Sequence, residues 1–283
     1  MSANPAGVPA MTEKERLAIS AFVEGEFGIK MPAAKKSLLE GRLAKRVAAC
    51  GLPSYGAYFD FVTLSPAGAD EYLHFMDLVS THETSFFREP RHFDFLKRSV
   101  LPALSREAGR HSLRVLSAAC STGEEAYSLA MLLDCSLRES RREDIELRVE
   151  GIDLSAKAVA VAERGVYLAD RTRGIPEELR QDYVMRSKDR SKDLCRFSPQ
   201  LRGRMRFHTG NLLGELGLAE RRYDIVFCRN VLIYFDRSNQ RRVVARLIEH
   251  LDAGSYLFLG HSETMLAFDF PLQTVAHSVY RKK

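Results

Sequence analysis

Polar residues stand at four points where an apolar run of this chain gives out, and their types suit a ligand carrying a ribose and a cationic group. Ser121-Thr122-Gly123-Glu124-Glu125 follows the strand-like run Leu113 to Ala118, and Asp153 closes Leu147 to Ile152. Asn211 follows Met205 to His208, and Asn230 follows Tyr223 to Cys228. An acid at the tip of the second strand of a βαβ unit commonly accepts hydrogen bonds from ribose hydroxyls, which makes Asp153 the candidate. Ser121 and Glu124 have the S-x-x-E spacing of a capping box. That pairing would commit Glu124 to the first helical amides and leave Glu125 to meet a cation. The plainer alternative is a pair of first-turn acids favoured by the helix dipole, with Asp153 a cap or turn residue and each asparagine a turn residue. The convergence of all four positions is the functional signal.

The elements that must position these residues follow from periodicity. Leu113 to Leu133 reads as a buried strand, a turn of small residues and a helix striped by Ala126, Leu129, Ala130 and Leu133. Small residues let the backbone approach a bound group, and the helix N-terminus aims free amides at it. Strands and helices then alternate. Ser155 opens one helix, Val243, Val244, Leu247 and Ile248 stripe another, Ser255 to Leu259 is a strand, and Leu272 to Tyr280 is expected as one antiparallel edge strand. Residues 165 to 207 break the alternation: Tyr183 to Arg186 and Leu194 to Phe197 flank the loop SKDRSKD and predict an inserted antiparallel hairpin.

Ahead of Ser80 there is no strand signal. Helices are expected over Glu13 to Phe27, from Pro32 to near Gly51, from Ser54 to before Pro66, and around Tyr72, Phe75, Met76 and Val79. On the second of these, Lys35, Arg42, Lys45 and Arg46 cluster beside the apolar stripe, either as a solvated face or as a docking surface for an acidic helix. The expected organisation is a disordered leader over 1–12, a helical domain over 13–79, a linker over 80–92 rich in hydrogen-bonding side chains, and an α/β domain over 93–283 with its insertion at about 165–203.

Composition removes several classes. With 45% hydrophobic and 28% charged residues in 283, the chain reads as soluble and globular, and no run approaches the length of a membrane helix. The start lacks the pattern of a signal peptide, so the cytoplasm is the expected compartment. Five cysteines, an odd number without C-x-x-C spacing, argue against a disulfide framework or a zinc site, and no metal is expected. Cys120 reads as a small residue beside a ligand rather than a nucleophile. A net charge of +5, with no basic stretch interleaved with aromatics, gives no case for nucleic acid.

A dinucleotide site would show G-x-G-x-x-G, yet only Gly123 stands in the turn, and no P-loop occurs. The turn suits a ligand with ribose and adenine but no phosphate, as S-adenosylmethionine is. The phrases STHETSFFRE, SAACSTGEEAYSLAMLL, GIDLS, GNLL, FCRNVLIYFD and GHSE, in this order, resemble the CheR-type chemotaxis receptor methyltransferases. That family methylates glutamate side chains of chemoreceptors with S-adenosylmethionine, releasing S-adenosylhomocysteine.

The resemblance implies a Rossmann-like S-adenosylmethionine-dependent methyltransferase domain with a small antiparallel β-subdomain insertion, preceded by an all-helical N-terminal domain. It implies that His82, Thr84, Arg88, Glu125, Asp153, Asn211, Leu212, Asn230 and Val231 bind the cofactor. Arg88 and Tyr234 would lie beside the transferring methyl. His82 stands where the family commonly has asparagine. The resemblance also strengthens the docking reading of Lys35, Arg42, Lys45 and Arg46 against receptor helices, and suggests that the β-subdomain grips a receptor's C-terminal tail. The competing reading is a non-catalytic S-adenosylmethionine-binding signalling or adaptor module, which would bind the cofactor without transferring a methyl.

Overall fold

Local capping sets the helices of the first half. In the computed structural model, which describes residues 7–107, 109–218, 222–263 and 269–283, helix α1 (Glu13–Phe27) starts at a reciprocal Thr12–Glu15 capping box and stops at Gly28 with φ 70°. Helix α2 (Lys36–Ala49) follows a 3₁₀ turn after Pro32, α3 (Tyr55–Leu64) is capped by the Ser54 hydroxyl, and α4 (Ala69–Val79) ends at Ser80. Their buried faces, Ile19, Val23, Leu43, Val47, Tyr58, Phe75 and Val79, make a core of their own. Residues 1–6 of the expected leader lie outside the described residues. Within 7–12, Met11 is buried and its amide donates to Glu40, while Thr12 caps α1.

The described chain divides into two compact units. One is this helical part through Thr81, joined by Tyr234–Asn239, and the other holds the remainder.

The second unit begins with α5 (Pro90–Phe95), a π-helical turn over Leu96–Val100 and α6 (Leu101–Ser105). Strand β1 (Ser112–Ala118), helix α7 (Glu124–Glu139), strand β2 (Glu146–Asp153) and helix α8 (Ala156–Arg164) follow. The insertion carries β3 (Val166–Leu168), α9 (Glu177–Tyr183), β4 (Val184–Arg186), β5 (Leu194–Phe197) and α10 (Pro199–Arg202). The chain then returns through β6 (Met205–Thr209), β7 (Tyr223–Cys228), α11 (Arg237–Glu249), β8 (Leu251–Leu259), β9 (Leu272–Ala276) and β10 (Val279–Lys282).

The main sheet has the order β6-β2-β1-β7-β8-β10-β9, parallel from β6 to β8 and antiparallel beyond. The chain runs outward from β1 through β2 to β6, then resumes on the other side at β7. The carboxyl edge between β1 and β7 is therefore a topological switch point, where such sheets bind their ligands. Central strands are buried on both faces, as their continuous apolar runs require. Phe227 of β7 stacks on Phe258 of β8 with centroids 4.2 Å apart.

Two expectations are corrected here. The last segment is a hairpin of two strands turning at Ser278, which has φ 55°, and β10 rather than the whole segment pairs with β8. The insertion holds three strands in the order β3-β5-β4 instead of a two-stranded hairpin. Its core is aromatic: Phe197 stacks on Tyr127 of α7 at 4.2 Å and meets Tyr167 and Phe86 edge-on. The fold is Rossmann-like, with an all-helical part before it and a small antiparallel sheet inserted.

Candidate active site

The turn after β1 is held in a conformation that side chains ordinarily avoid. Ala119, Ser121 and Gly123 have φ of 62°, 51° and 97°. Such residues persist only where their surroundings over-determine them. Here Cys120 N–H donates to Ile152 O at 2.9 Å, and Ser121 N–H donates to Asp153 Oδ2 at 2.8 Å. Asp153 Oδ1 accepts from Ser155 N–H at 2.9 Å. Gly151 sits beneath the turn, where a Cβ would fall 2.9 Å from Cys120 Sγ and 2.6 Å from the Phe207 ring.

The expected capping box is absent. The N-cap of α7 is Gly123, which has no side chain to cap with, so Ser121 lies outside the cap position; its hydroxyl donates to the His82 carbonyl at 3.3 Å. Glu124 is fully buried and is paired with Arg171 at 2.6 Å and with the Thr122 hydroxyl at 2.6 Å. Glu125 is not left without partners either. It accepts from Ser117 Oγ at 2.7 Å and lies 3.4 Å from Arg229 Nε.

Arg229, Glu89, Ser117 and Glu263 are site residues that the sequence reading passed over. Arg229 is 5% exposed, directly after β7, with its guanidinium 5.6 Å from the Phe93 ring centroid and 5.5 Å from that of Phe227. Its Nε lies 3.4 Å from Glu125 and 3.6 Å from Glu89, and its Nη2 donates to the Arg88 carbonyl. Glu89 also accepts from Asn230 Nδ2 at 3.0 Å. Burial works against ionisation of Glu89, but the Asn230 hydrogen bond and the Arg229 charge hold its carboxyl below the ordinary range. Burial pushes the Glu125 carboxyl up, against the pull of Arg229 and Ser117. Two carboxylates thus share one guanidinium. That arrangement suits a cationic ligand group, and S-adenosylmethionine carries both an ammonium and a sulfonium.

The remaining candidates fall into two groups. Asp153, Asn211, Leu212, Asn230 and Val231 all follow the carboxyl ends of β2, β6 or β7, on the edge that bears Glu125. Asn211 Oδ1 accepts from Leu213 N–H at 2.9 Å, and Leu212 is buried with its carbonyl bonded to Arg246. His82 and Thr84 meet this unit through backbone carbonyls, which accept from Ser121 and Arg171, and Arg88 donates to the Glu83 carbonyl at 3.0 Å.

Lys35, Arg42, Lys45, Arg46 and Tyr234 belong to the helical unit. Arg42 donates to the carbonyls of Leu78 and Ser80 at the end of α4. Arg46 grips the buried Glu71, which also accepts from Tyr58 Oη at 2.7 Å. Lys35 lies 5.4 Å from the Tyr234 ring centroid, and Lys45 is exposed. Among the described residues, no helix is long and apolar enough to cross a membrane.

A topological switch point with a strand-tip acid, a glycine-bearing turn and two carboxyl groups on one guanidinium suits a Rossmann-like domain that binds S-adenosylmethionine. Residues 82–280 match the CheR methyltransferase SAM-binding domain, and residues 15–80 match the CheR methyltransferase all-alpha domain. The chemotaxis protein methyltransferase of Borreliella burgdorferi is 31% identical over 275 residues, covering 96% of this chain and 95% of its own. Chemotaxis protein methyltransferase 1 of Pseudomonas aeruginosa is 34% identical over 269 residues, covering 93% and 95%. The Escherichia coli chemotaxis protein methyltransferase is 31% identical over 256 residues, covering 90% and 85%. The chain belongs to the CheR methyltransferase family.

Proposed function

We propose that this enzyme methylates glutamate side chains of chemoreceptors, giving glutamate methyl esters and S-adenosylhomocysteine for sensory adaptation. The observation that carries this reading is the match of both family domains, in order, to chemotaxis methyltransferases along nearly the whole chain. S-adenosylmethionine supplies an electrophilic methyl on a sulfonium. A substrate glutamate, with a reference pKa of about 4.3, is already a carboxylate at neutral pH, so its oxygen attacks without a general base. The protein's task is alignment, which lowers the barrier by several kcal/mol. Arg88 orients the incoming carboxylate, and the Tyr234 hydroxyl shapes the methyl site.

In this reading Glu125 meets the methionine ammonium and Asp153 holds the ribose. Asn211, Leu212, Asn230 and Val231 line the adenosyl side, while His82 and Thr84 close over it from the linker. Lys35, Arg42, Lys45 and Arg46 form the face for acidic receptor helices, and the β3-β5-β4 sheet takes a receptor tail peptide. Lys45 is the clean probe of docking, since Arg42 and Arg46 have partners within the helical unit.

The test is transfer of radiolabelled methyl to receptor-bearing membranes, read as base-labile ester. Wild type is expected to label receptor, and Arg88→Ala to lose most transfer while keeping its far-UV circular dichroism. Near-normal turnover in Arg88→Ala would remove that residue from the reaction, and cofactor binding without transfer to any receptor would overturn the substrate assignment.

A further inference from the structure

We propose that Glu263 is a positioning residue, a buried carboxylate that sets the shape of the Asn230 turn and thereby the affinity for the cofactor. This rests on the reading that Asn230 and Val231 line the adenosyl side. Glu263 is 5% exposed and lies beyond β8, while the turn it holds follows β7. Its Oε2 accepts from Asn230 N–H at 2.9 Å and from Gly260 N–H at 2.7 Å, and its Oε1 accepts from Ile233 N–H at 3.3 Å. One side chain therefore joins the carboxyl ends of two neighbouring strands.

The geometry around it leaves little slack. Asn230 has φ 59°, in the left-handed region that asparagine enters more readily than most side-chain-bearing residues. Its backbone is tied by Glu263 and its side chain by Glu89, itself at φ 56°. Gly260 makes room for the tie: a Cβ there would fall 2.7 Å from Glu263 Oε2 and 2.9 Å from Asn230 N. Burial raises the Glu263 carboxyl, and the backbone amides that converge on it act in the opposite direction.

A carboxylate only accepts, so it suits the amides that converge on it, whereas a glutamine would turn an NH₂ group toward one or more of them. Losing a charged acceptor is expected to weaken cofactor affinity about tenfold. The test measures S-adenosylhomocysteine binding by calorimetry, with KM and kcat for S-adenosylmethionine, in the full chain. Glu263→Gln is expected to raise Kd and KM about tenfold with kcat at saturation within threefold. Gly260→Ala, whose Cβ would meet both the carboxylate and Asn230, is expected to do the same, and Glu263→Asp, which keeps the charge and leaves Asn230 untouched, decides the matter if Glu263→Gln does not fold: affinity within twofold of wild type there would overturn the proposal. Glu263→Asp is expected to recover part of the affinity.

A folded Glu263→Gln or Gly260→Ala enzyme that binds within twofold of wild type overturns the proposal, as does a lowered thermal midpoint with unchanged affinity. Asn230→Ala separates this from the cofactor reading. If Asn230→Ala weakens binding and Glu263→Gln does not, Glu263 alone loses its role. If neither does, the adenosyl assignment of the turn fails as well.

Discussion

Truncating Arg46 to alanine separates a docking charge from a structural one. Its guanidinium makes two charged contacts with Glu71, one of them at 2.8 Å, and the Glu71 side chain is only 7% exposed. Removing one partner of a buried ion pair costs about 3–5 kcal/mol, because the other charge stays buried and uncompensated. Arg46 is 35% exposed, however, so water enters where the guanidinium was, and Tyr58 still donates to the carboxylate. Both push the cost toward the value of a charged hydrogen bond, about 2 kcal/mol. Hydrogen exchange in the intact chain reads this locally. Amides of α2 to α4 should lose about thirtyfold protection in Arg46→Ala, while those of β1 and β7 stay near wild type. Replacing Arg46 and Glu71 together by methionine, with Tyr58→Phe to remove the hydroxyl that Glu71 accepts from, should restore much of it, since no buried charge or donor is then left alone. Unchanged protection in Arg46→Ala, together with reduced receptor methylation, would refute the structural assignment and return Arg46 to the docking face.

Two further outcomes follow from buried groups of the α/β unit. His92 is 2% exposed, and burial, reinforced by the Arg229 charge, lowers its pKa to about 4 from 6.5. The unfolded chain therefore takes up a proton that the folded one refuses. Stability is full above about pH 6.5 and falls by about 3 kcal/mol as the pH drops toward 4, and urea titrations of His92→Gln should show a flatter dependence over that window. Gly151→Ala should lower the urea midpoint by an amount equivalent to about 1–3 kcal/mol, because its Cβ meets Phe207 and Cys120 below 3 Å. A neutral substitution would show that the turn has more room than its geometry indicates.

Much of the frame was legible in single residues. Ser54 and Ser155 cap the helices they were expected to open, and Asp153 stands at a strand tip because a continuous apolar run must end at the sheet's edge. The capping box failed because the helix starts two residues later than S-x-x-E places it: Gly123 is the N-cap, and the Ser121 hydroxyl goes to the His82 carbonyl, 39 residues away. The Arg229–Glu89–Glu125 network could not be read from spacing, since its members lie on three separate segments. Its one signal was an arginine directly after the most apolar strand, where a charge survives only if paired. The last hairpin was missed because Ser278 turns the chain at φ 55° without a glycine or asparagine to mark it. Strand β3 is only three residues long, too short to show a period.

The strand order also constrains how the chain comes together in time. The capped helices α1 to α4 are joined by short connections, and such structure forms quickly. β1 lies at the sheet's centre between β2 and β7, and Asp224 of β7 bonds the Arg114 amide across 110 residues of chain. Joining β7 to β1 closes a much longer loop than joining β2 to β1, at an entropic cost that grows only slowly with length. The switch point exists only once that closure is made, so it is the most non-local feature of the sheet.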